Sequence, residues 1–129
     1  MKFRIAAVLG LALSLGCLAG HAEDGPRLSN KWRIECDEGA KSDGTISFRL
    51  TPKDGMPIEV SVPITNGSGE NKVAQTIKDT LEKSLDARTF HVEVDDGEDV
   101  LVKKKNGPDF ALEMTGSSVQ GTRITIGKE

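Results

Sequence analysis

The chain has 129 residues and is mildly acidic, with 20 aspartates and glutamates against 17 lysines and arginines and a formal net charge of −3. This length provides for one domain with a single hydrophobic core. The acidic balance argues against nucleic acid, whose phosphates attract Lys and Arg, and against electrostatic docking on anionic lipid. Aromatic residues make up 4% of the chain, which disfavours the stacking of sugars or bases on exposed rings.

The first 22 residues have the order of a bacterial secretory signal peptide. Lys2 and Arg4 precede an uncharged, mostly apolar run of 14 residues at 5–18. A membrane-spanning helix needs roughly 20 apolar residues, so a permanent membrane span is not predicted. Small residues at Gly20 and Ala22 fit cleavage after Ala22, which predicts export to the periplasm or the extracellular medium. The exported chain would carry 15 cations against 20 acids, a net charge of −5, because both leader cations are lost.

A second processing route at Cys17 stays open. Ser14-Leu15-Gly16-Cys17 resembles the lipobox of bacterial lipoproteins, in which Cys17 would carry a lipid anchor. Soluble processing instead removes Cys17 and leaves Cys36 alone, so no disulfide can form within the chain. Cys36 is then either buried or free to pair with another chain. Its alternation with charged neighbours predicts burial as a small inert hydrophobe.

The first part of the exported chain has the pattern of a lead-in followed by strands. Residues 23–30 are polar and predict a flexible lead-in. Three runs in which apolar and polar residues alternate follow at about 31–36, 45–51 and 57–64. Pro52-Lys53-Asp54-Gly55 predicts a turn with positive φ at the glycine, which joins the second and third runs into a hairpin. Pro63 cannot donate to a ladder, which indicates an edge strand or a strand end.

A single amphipathic helix is predicted over about 70–85. Its apolar stripe recurs every four residues and consists of Val73, Ile77, Leu81 and Leu85, widened by Ala74. Ser68 or Asn71 is the predicted N-cap. The stripe requires burial against a sheet, because an isolated helix of this length is marginal in water.

Further alternating runs follow the helix at about 90–94, 100–102, 110–115 and 123–126. Asp95-Asp96-Gly97-Glu98-Asp99 is the predicted turn between the first two. Asn106-Gly107 is the strongest short hairpin signal in the chain and predicts pairing of the second run with the third.

Together these elements predict an α+β fold over residues 31–127, an antiparallel sheet of six or seven strands with the helix packed on its apolar face. Trp32, Phe48, Phe90 and Phe110 all fall on the predicted inner face. The opposite face is predicted to be polar, of mixed charge and without a pocket. Its members are Arg33, Glu35, Ser47, Arg49, Glu59, Ser61, His91, Glu93 and Glu113.

The acidic turn is a weak candidate for a calcium site, since carboxylate oxygens are the ligands that calcium prefers. Its candidate ligands are Asp95, Asp96, Glu98 and Asp99. The spacing departs from the EF-hand pattern, and the favoured interpretation is a solvated turn whose acids face Lys103-Lys104-Lys105 of the next strand. Those lysines alternate between faces and are typical of a protected edge strand. No metal and no cofactor is predicted.

No catalytic residue is predicted. Alternation places Cys36 inward and His91 outward, which argues against a nucleophile–base pair. The outer glutamates lack the cleft that glycoside chemistry requires. The candidate binding residues are therefore the outer-face side chains Arg33, Arg49, His91 and Glu93.

The segment from Gly44 to Thr115 has a ββαββ order of elements. Its motifs are the hairpin Gly44-Thr45-Ile46-Ser47-Phe48 with Ile58-Glu59-Val60-Ser61-Val62, the helix start Lys72-Val73-Ala74 and the final strand Pro108-Asp109-Phe110-Ala111-Leu112. The segment covers 72 of the 129 residues and resembles a module of flagellar hook-associated and phage tail-type surface proteins. The resemblance implies a role in a surface assembly and assigns no functional residue.

The function predicted from the sequence is a small exported domain, not an enzyme, that binds a protein partner or a component of the cell envelope. The contact surface would be the polar sheet face or an open edge strand, to which an extended partner can add. A structural or accessory subunit of an envelope or surface assembly is the alternative, and an enzyme of unknown class is the third possibility. No nucleic-acid partner is predicted.

Overall fold

The computed structural model describes residues 27–129, which form seven β-strands and one α-helix. In chain order the elements are β1 (Lys31–Asp37), β2 (Gly44–Pro52), β3 (Ile58–Ile64), α1 (Glu70–Ser84), β4 (Phe90–Asp95), β5 (Asp99–Lys104), β6 (Phe110–Ser117) and β7 (Arg123–Lys128). The predicted signal peptide, its cleavage site and Cys17 lie outside the described residues. Within 27–129, no helix has the length and apolar character required to cross a bilayer.

The strands are arranged in two antiparallel sheets. One sheet has the order β4-β5-β1-β7 and the other has the order β3-β2-β6. The α+β class and the antiparallel pairing are confirmed. The seven strands do not form one continuous sheet, however, and the outer residues predicted to share one polar face are divided between two faces.

The division between sheets occurs at Asn106-Gly107, where the sequence predicted a hairpin of β5 with β6. Gly107 does adopt a left-handed conformation with φ of 89°, and Lys104 Nζ donates to its carbonyl oxygen at 3.0 Å. The pairing prediction is nevertheless wrong, because β1 and β4 occupy both edges of β5. The chain therefore crosses to the second sheet, where β6 pairs with β2.

The core confirms the predicted inward faces of the strands. Trp32 is 3% exposed, and Ile34 and Cys36 are fully buried, as the alternation in β1 predicts. The Phe90 and Phe110 rings meet edge to face, with centroids 5.2 Å apart and planes at 84°. This geometry is the favoured contact of two aromatic rings. It connects β4 of the first sheet to β6 of the second through a shared core.

Helix α1 buries its predicted stripe against both sheets. Val73, Ala74, Ile77 and Leu81 are all fully buried, and the helix contacts strands β1, β3, β4 and β5. The predicted cap is wrong, since Gly69 is the N-cap and no side chain caps the first turn. Packing of the stripe therefore determines where this helix forms, with little help from capping.

The β2–β3 hairpin forms as predicted, with one change at its turn. Gly55 N–H donates to the carbonyl of Pro52 at 2.9 Å, but Asp54, with φ of 59°, takes the left-handed conformation assigned to the glycine. Aspartate is among the few residues that tolerate this region. Pro63 lies on β3, which is an edge strand as predicted.

The two sheets leave two gaps between their edge strands, here called seams, and the helix covers only one of them. On one side helix α1 contacts both edge strands, β3 and β4, and covers the seam. On the other side the edge strands β6 and β7 lie near each other without pairing. The Trp32 indole N–H donates to the carbonyl of Phe110 at the start of β6, while Trp32 pairs with Lys128 at the end of β7. Strands β6 and β7 therefore run in opposite directions.

Candidate functional site

The open seam forms a groove of about 390 Å³ between β6 and β7, here called the β6–β7 groove. Its lining is mostly apolar, with one cation and one acid. The lining residues are Arg27, Trp32, Ala111, Leu112, Glu113, Met114, Ile124 and Ile126. A concave, largely apolar surface with a few polar groups is the usual form of a binding site.

The β6 wall of the groove is a strand edge that the described residues pair only at its first position, Phe110. Ser29 and Phe110 exchange two backbone hydrogen bonds, each 3.0 Å long, in an isolated antiparallel bridge. The N–H and C=O of Phe110 therefore point away from β2. Because these groups alternate in direction along a strand, those of Leu112 and Met114 point the same way. No described strand pairs with this edge beyond Phe110.

The β7 wall is a second unpaired edge. Glu129 N–H donates to the carbonyl of Lys31 on β1 at 3.0 Å. By the same alternation, the backbone groups of Ile124 and Ile126 point away from β1 and towards the groove. Among residues 27–129, no strand pairs with β7 other than β1. Two hydrogen-bonding edges that have no partner strand within 27–129 thus face one apolar space.

The side chains of the groove combine a rigid floor with an accessible rim. Trp32 is held by its buried indole N–H···O bond of 2.9 Å to Phe110. Met114 is 39% exposed, and Ile124 and Ile126 are only partly buried against the core. The Arg27 guanidinium carbon lies 5.8 Å from the Trp32 ring centroid, within the range of a cation–π contact.

Arg33, a predicted binding residue, lies on the outer face of the four-stranded sheet and forms ion pairs with three acids. Its guanidinium contacts Glu129 at 2.8 Å, Asp99 at 2.7 Å and Asp95 at 3.0 Å. The hydrogen bonds with Glu129, Asp99 and Asp95 raise the pKa of Arg33, and the same contact with Arg33 lowers the pKa of Glu129. These ion pairs link β1 to β4, to β5 and to the residue after β7. Arg33 therefore has a structural role that links strands of the sheet.

His91 and Glu93 lie on the same sheet face and contact each other. His91 Nε2 is 2.9 Å from Glu93 Oε1, and Lys103 Nζ is 3.5 Å from Glu93 Oε2. The hydrogen bond from His91, followed by the charge of Lys103, lowers the pKa of Glu93. His91 is exposed and Cys36 is buried, so the structure places them on opposite sides of the sheet.

Arg49, the fourth predicted binding residue, lies on the outer face of the three-stranded sheet. Its Nε is 2.7 Å from Glu59 Oε2, and Nη1 is 3.8 Å from Glu113 Oε2. The hydrogen bond with Glu59 raises the pKa of Arg49. Arg33, His91 and Glu93 therefore lie on the outer face of one sheet, whereas Arg49 lies on that of the other. Each of the four contacts neighbouring side chains of its own face.

The acids of the β4–β5 turn point in different directions. Asp95 and Asp99 contact Arg33, Asp96 is exposed, and Glu98 approaches Glu70 at the start of α1. Hydrogen bonding between the two carboxyl groups raises the pKa of Glu98. Residues 27–129 contain no group of three or more His, Cys, Asp or Glu placed to hold a metal ion.

The lysine run makes separate local contacts and does not form one anion site. Lys103 pairs with Glu93, Lys104 Nζ is 3.1 Å from Asp109 Oδ1, and Lys105 Nζ donates to the carbonyl of Ala87 at 3.0 Å. The lysines therefore do not neutralise the acidic turn, which the sequence analysis had paired with them. Arg33 instead pairs with two acids of the turn, Asp95 and Asp99.

The Cys36 thiol is expected not to react with a thiol reagent while the protein is folded. Burial, followed by the charge of Asp99, raises the pKa of Cys36 from 9.0 to about 12. At about pH 10 an exposed thiol is largely ionised, whereas Cys36 keeps its proton and lacks the reactive thiolate. Labelling at that pH, with mass mapping to separate Cys36 from Cys17, should modify Cys36 only after denaturant is added. Rapid modification of Cys36 in the folded protein would contradict this result.

The β6–β7 groove was not predicted from the sequence. Leu112, Met114, Ile124 and Ile126 follow the same alternation as fully buried core residues, so the pattern does not distinguish a covered strand from an open one. The available signal was the polar stretch 23–30 and the short final strand, because neither offered an obvious partner for the last strand edges.

Fold and site together define a small α+β domain of two antiparallel sheets, closed by a helix at one seam and open at the other. Comparisons of the chain with protein-family models, with curated proteins and with solved structures found no match.

Proposed function

We propose that this protein is a non-catalytic binding domain that takes an extended peptide of a protein partner into the β6–β7 groove. The observation that supports it is the meeting of two unpaired strand edges at one apolar groove. The leader pattern supports an interaction in the periplasm or outside the cell.

Strand addition is the mode of binding that suits this geometry. An extended peptide added to a sheet edge gains affinity from main-chain hydrogen bonds and specificity from pockets for alternate side chains. Leu112 and Met114 present main-chain groups from one wall, and Ile124 and Ile126 present them from the other. The bridge of Ser29 with Phe110 supports the argument, since a short segment already pairs with this edge in the antiparallel direction.

The expected ligand is short and has apolar residues at alternate positions. Beyond Phe110 the regular edge of β6 covers residues 111–114, up to the β-bulge between Met114 and Gly116, so about four residues of the ligand can pair with it, at a rise of about 3.3 Å each. Every second side chain of the segment would point into the groove, towards Trp32 and Ile126. The intervening side chains would face solvent beside Glu113 and Thr125, where small polar residues fit.

A subunit role in a surface assembly is the second proposal for the same edges. A neighbouring copy or another subunit could donate the strand in place of a free peptide, as open edges permit. Cross-linking of the purified chain into regular oligomers would favour this role. A monomer that binds added peptide would favour the binding domain.

Replacement of Met114 by lysine is expected to weaken peptide binding at least tenfold, because it removes apolar contact area and places a charge in the groove. The probe is a pool of octapeptides with valine, leucine or isoleucine at alternate positions and serine or threonine between them. Binding is measured by amide chemical shifts, and the amides of Leu112, Met114, Ile124 and Ile126 are expected to shift and to gain protection from hydrogen exchange.

Met56→Lys is the matched control. Met56 and Met114 are the two exposed large hydrophobic residues of the described chain, and Met56, 82% exposed, lies in the β2–β3 turn outside the groove lining. Met56→Lys should bind the pool as the wild type does. Equal binding by both variants, or shifts confined to other strands, would refute the proposed groove.

A further inference from the structure

We infer that the β6–β7 groove selects the carboxyl terminus of its peptide, with the Arg27 guanidinium binding the terminal carboxylate. The inference rests on the proposed function and narrows the ligand to a chain end of defined direction.

The direction follows from the strand edge itself. Ser29 pairs with Phe110 in the antiparallel sense, which shows that the β6 edge accepts a strand of that direction. A peptide antiparallel to β6 would run from the Ser117 end of the strand towards Leu112. Its carboxyl end would then lie at the end of the groove where Phe110, Trp32 and Arg27 meet.

The same bridge limits the length of the ligand at that end. The hydrogen bonds of Phe110 with Ser29 leave Leu112 as the next position whose main-chain groups face the groove. A peptide that continued past Leu112 would displace the bridge and lose two hydrogen bonds of 3.0 Å. A peptide that ends there keeps the bridge intact, so a chain terminus fits the edge better than an internal segment.

Charge at this end of the groove complements a carboxylate. The structure describes five arginines, and four of them, Arg33, Arg49, Arg88 and Arg123, have a carboxylate within 4 Å. Arg27 is exposed, lines the groove and has no ion-pair partner among residues 27–129. Glu113, the acid of the lining, is directed to Arg49 at 3.8 Å.

Arg27 is also oriented for this role. Its contact with the Trp32 ring at 5.8 Å places the guanidinium over the floor of the groove. A planar guanidinium presents paired N–H donors that match the two oxygens of a carboxylate. A terminal carboxylate, unlike a side-chain carboxylate, is joined directly to the main chain of the peptide. Because that main chain pairs with the β6 edge, the terminal carboxylate has a defined position in the groove.

The test compares two octapeptide pools on the full chain. Both pools have the alternating composition described above and an acetylated amino end; one ends in a free carboxylate and the other in an amide. The free-acid pool is expected to bind roughly tenfold more tightly, as a charge-assisted hydrogen bond contributes on that scale. Arg27→Gln should remove this difference, whereas Arg88→Gln, at a site 91% exposed and outside the groove, should preserve it.

The outcomes separate this inference from the proposed function. Binding of both pools with equal affinity at Leu112, Met114, Ile124 and Ile126 would overturn the carboxylate role and leave the groove in place. A preference for the free acid that survives Arg27→Gln would overturn the assignment to Arg27. Failure of both pools to shift the groove amides would overturn the proposed function and, with it, the inference.

Discussion

Phe110→Ala is expected to lower the free energy of unfolding by about 3–5 kcal/mol, the usual cost of deleting a buried phenylalanine ring. Phe110 is fully buried and packs edge to face on Phe90, so its loss leaves a cavity where the two sheets meet. The main-chain bonds of residue 110 with Ser29 and with the Trp32 indole are available to alanine as well. The expected decrease in the free energy of unfolding therefore comes only from the loss of the ring and its packing.

Urea denaturation followed by the fluorescence of the single tryptophan, Trp32, measures this change. Phe110→Leu should fall between the wild type and Phe110→Ala, because it fills part of the cavity. Met56→Ala, at an exposed position, should stay within about 0.5 kcal/mol of the wild type. A loss below about 1 kcal/mol for Phe110→Ala would show that the two sheets do not depend on this contact.

Leu81→Ala is expected to cost about 2–5 kcal/mol, although alanine is the better helix former. Leu81 is fully buried in the last part of the stripe by which α1 covers the seam of β3 and β4. The gain in helix propensity is a few tenths of a kcal/mol and does not offset the cavity. If tertiary packing holds the helix in place, Leu81→Ala therefore lowers the free energy of unfolding by this large amount.

Ser84→Ala provides the control on the same helix. Ser84 is exposed, and its hydroxyl only donates to the carbonyl of Thr80 within the helix, so the change should stay within about 0.5 kcal/mol. The same urea experiment applies to both variants. If Leu81→Ala were as stable as Ser84→Ala, the helix would not be the element that closes this seam.

The difference between the two seams is the reason that we propose a binding site at one side of the domain. Both seams lie between edge strands of different sheets, where apolar side chains of the shared core need a cover. The chain supplies its helix at the β3–β4 seam, whereas at the β6–β7 seam the described residues supply only the bridge at Ser29. An extended ligand would satisfy the hydrogen-bonding groups and the apolar surface that remain there.

Arg33 illustrates what a polar outer face can hide from sequence analysis. Its position opposite the core was predicted correctly, but its three carboxylate partners come from three separate segments: Asp95, Asp99 and Glu129. Leu101 shows a second such effect. It lies on the outer face between Arg33 and Glu93, yet only 4% of its surface is exposed. Long charged side chains cover apolar surface with their stems, so an outer position is not always an exposed one.

The sequence by itself determined which residues form strands, which face of each strand is buried and where the helix lies. Those properties are local, since the period of two in β1 and the period near four in α1 follow from the geometry of a single element. Trp32, Cys36 and Leu81 are buried for that reason.

Only the tertiary structure decided which edges pair and which stay open. These arrangements depend on contacts between residues distant in sequence, such as the Trp32 indole and the carbonyl of Phe110, which are 78 positions apart. Asn106-Gly107 formed its predicted bend, yet β6 went to another sheet because both edges of β5 were taken. A strand looks the same in sequence whether its edge is paired or free, and the β6–β7 groove lies between two edges that the described part of the chain leaves without a partner strand.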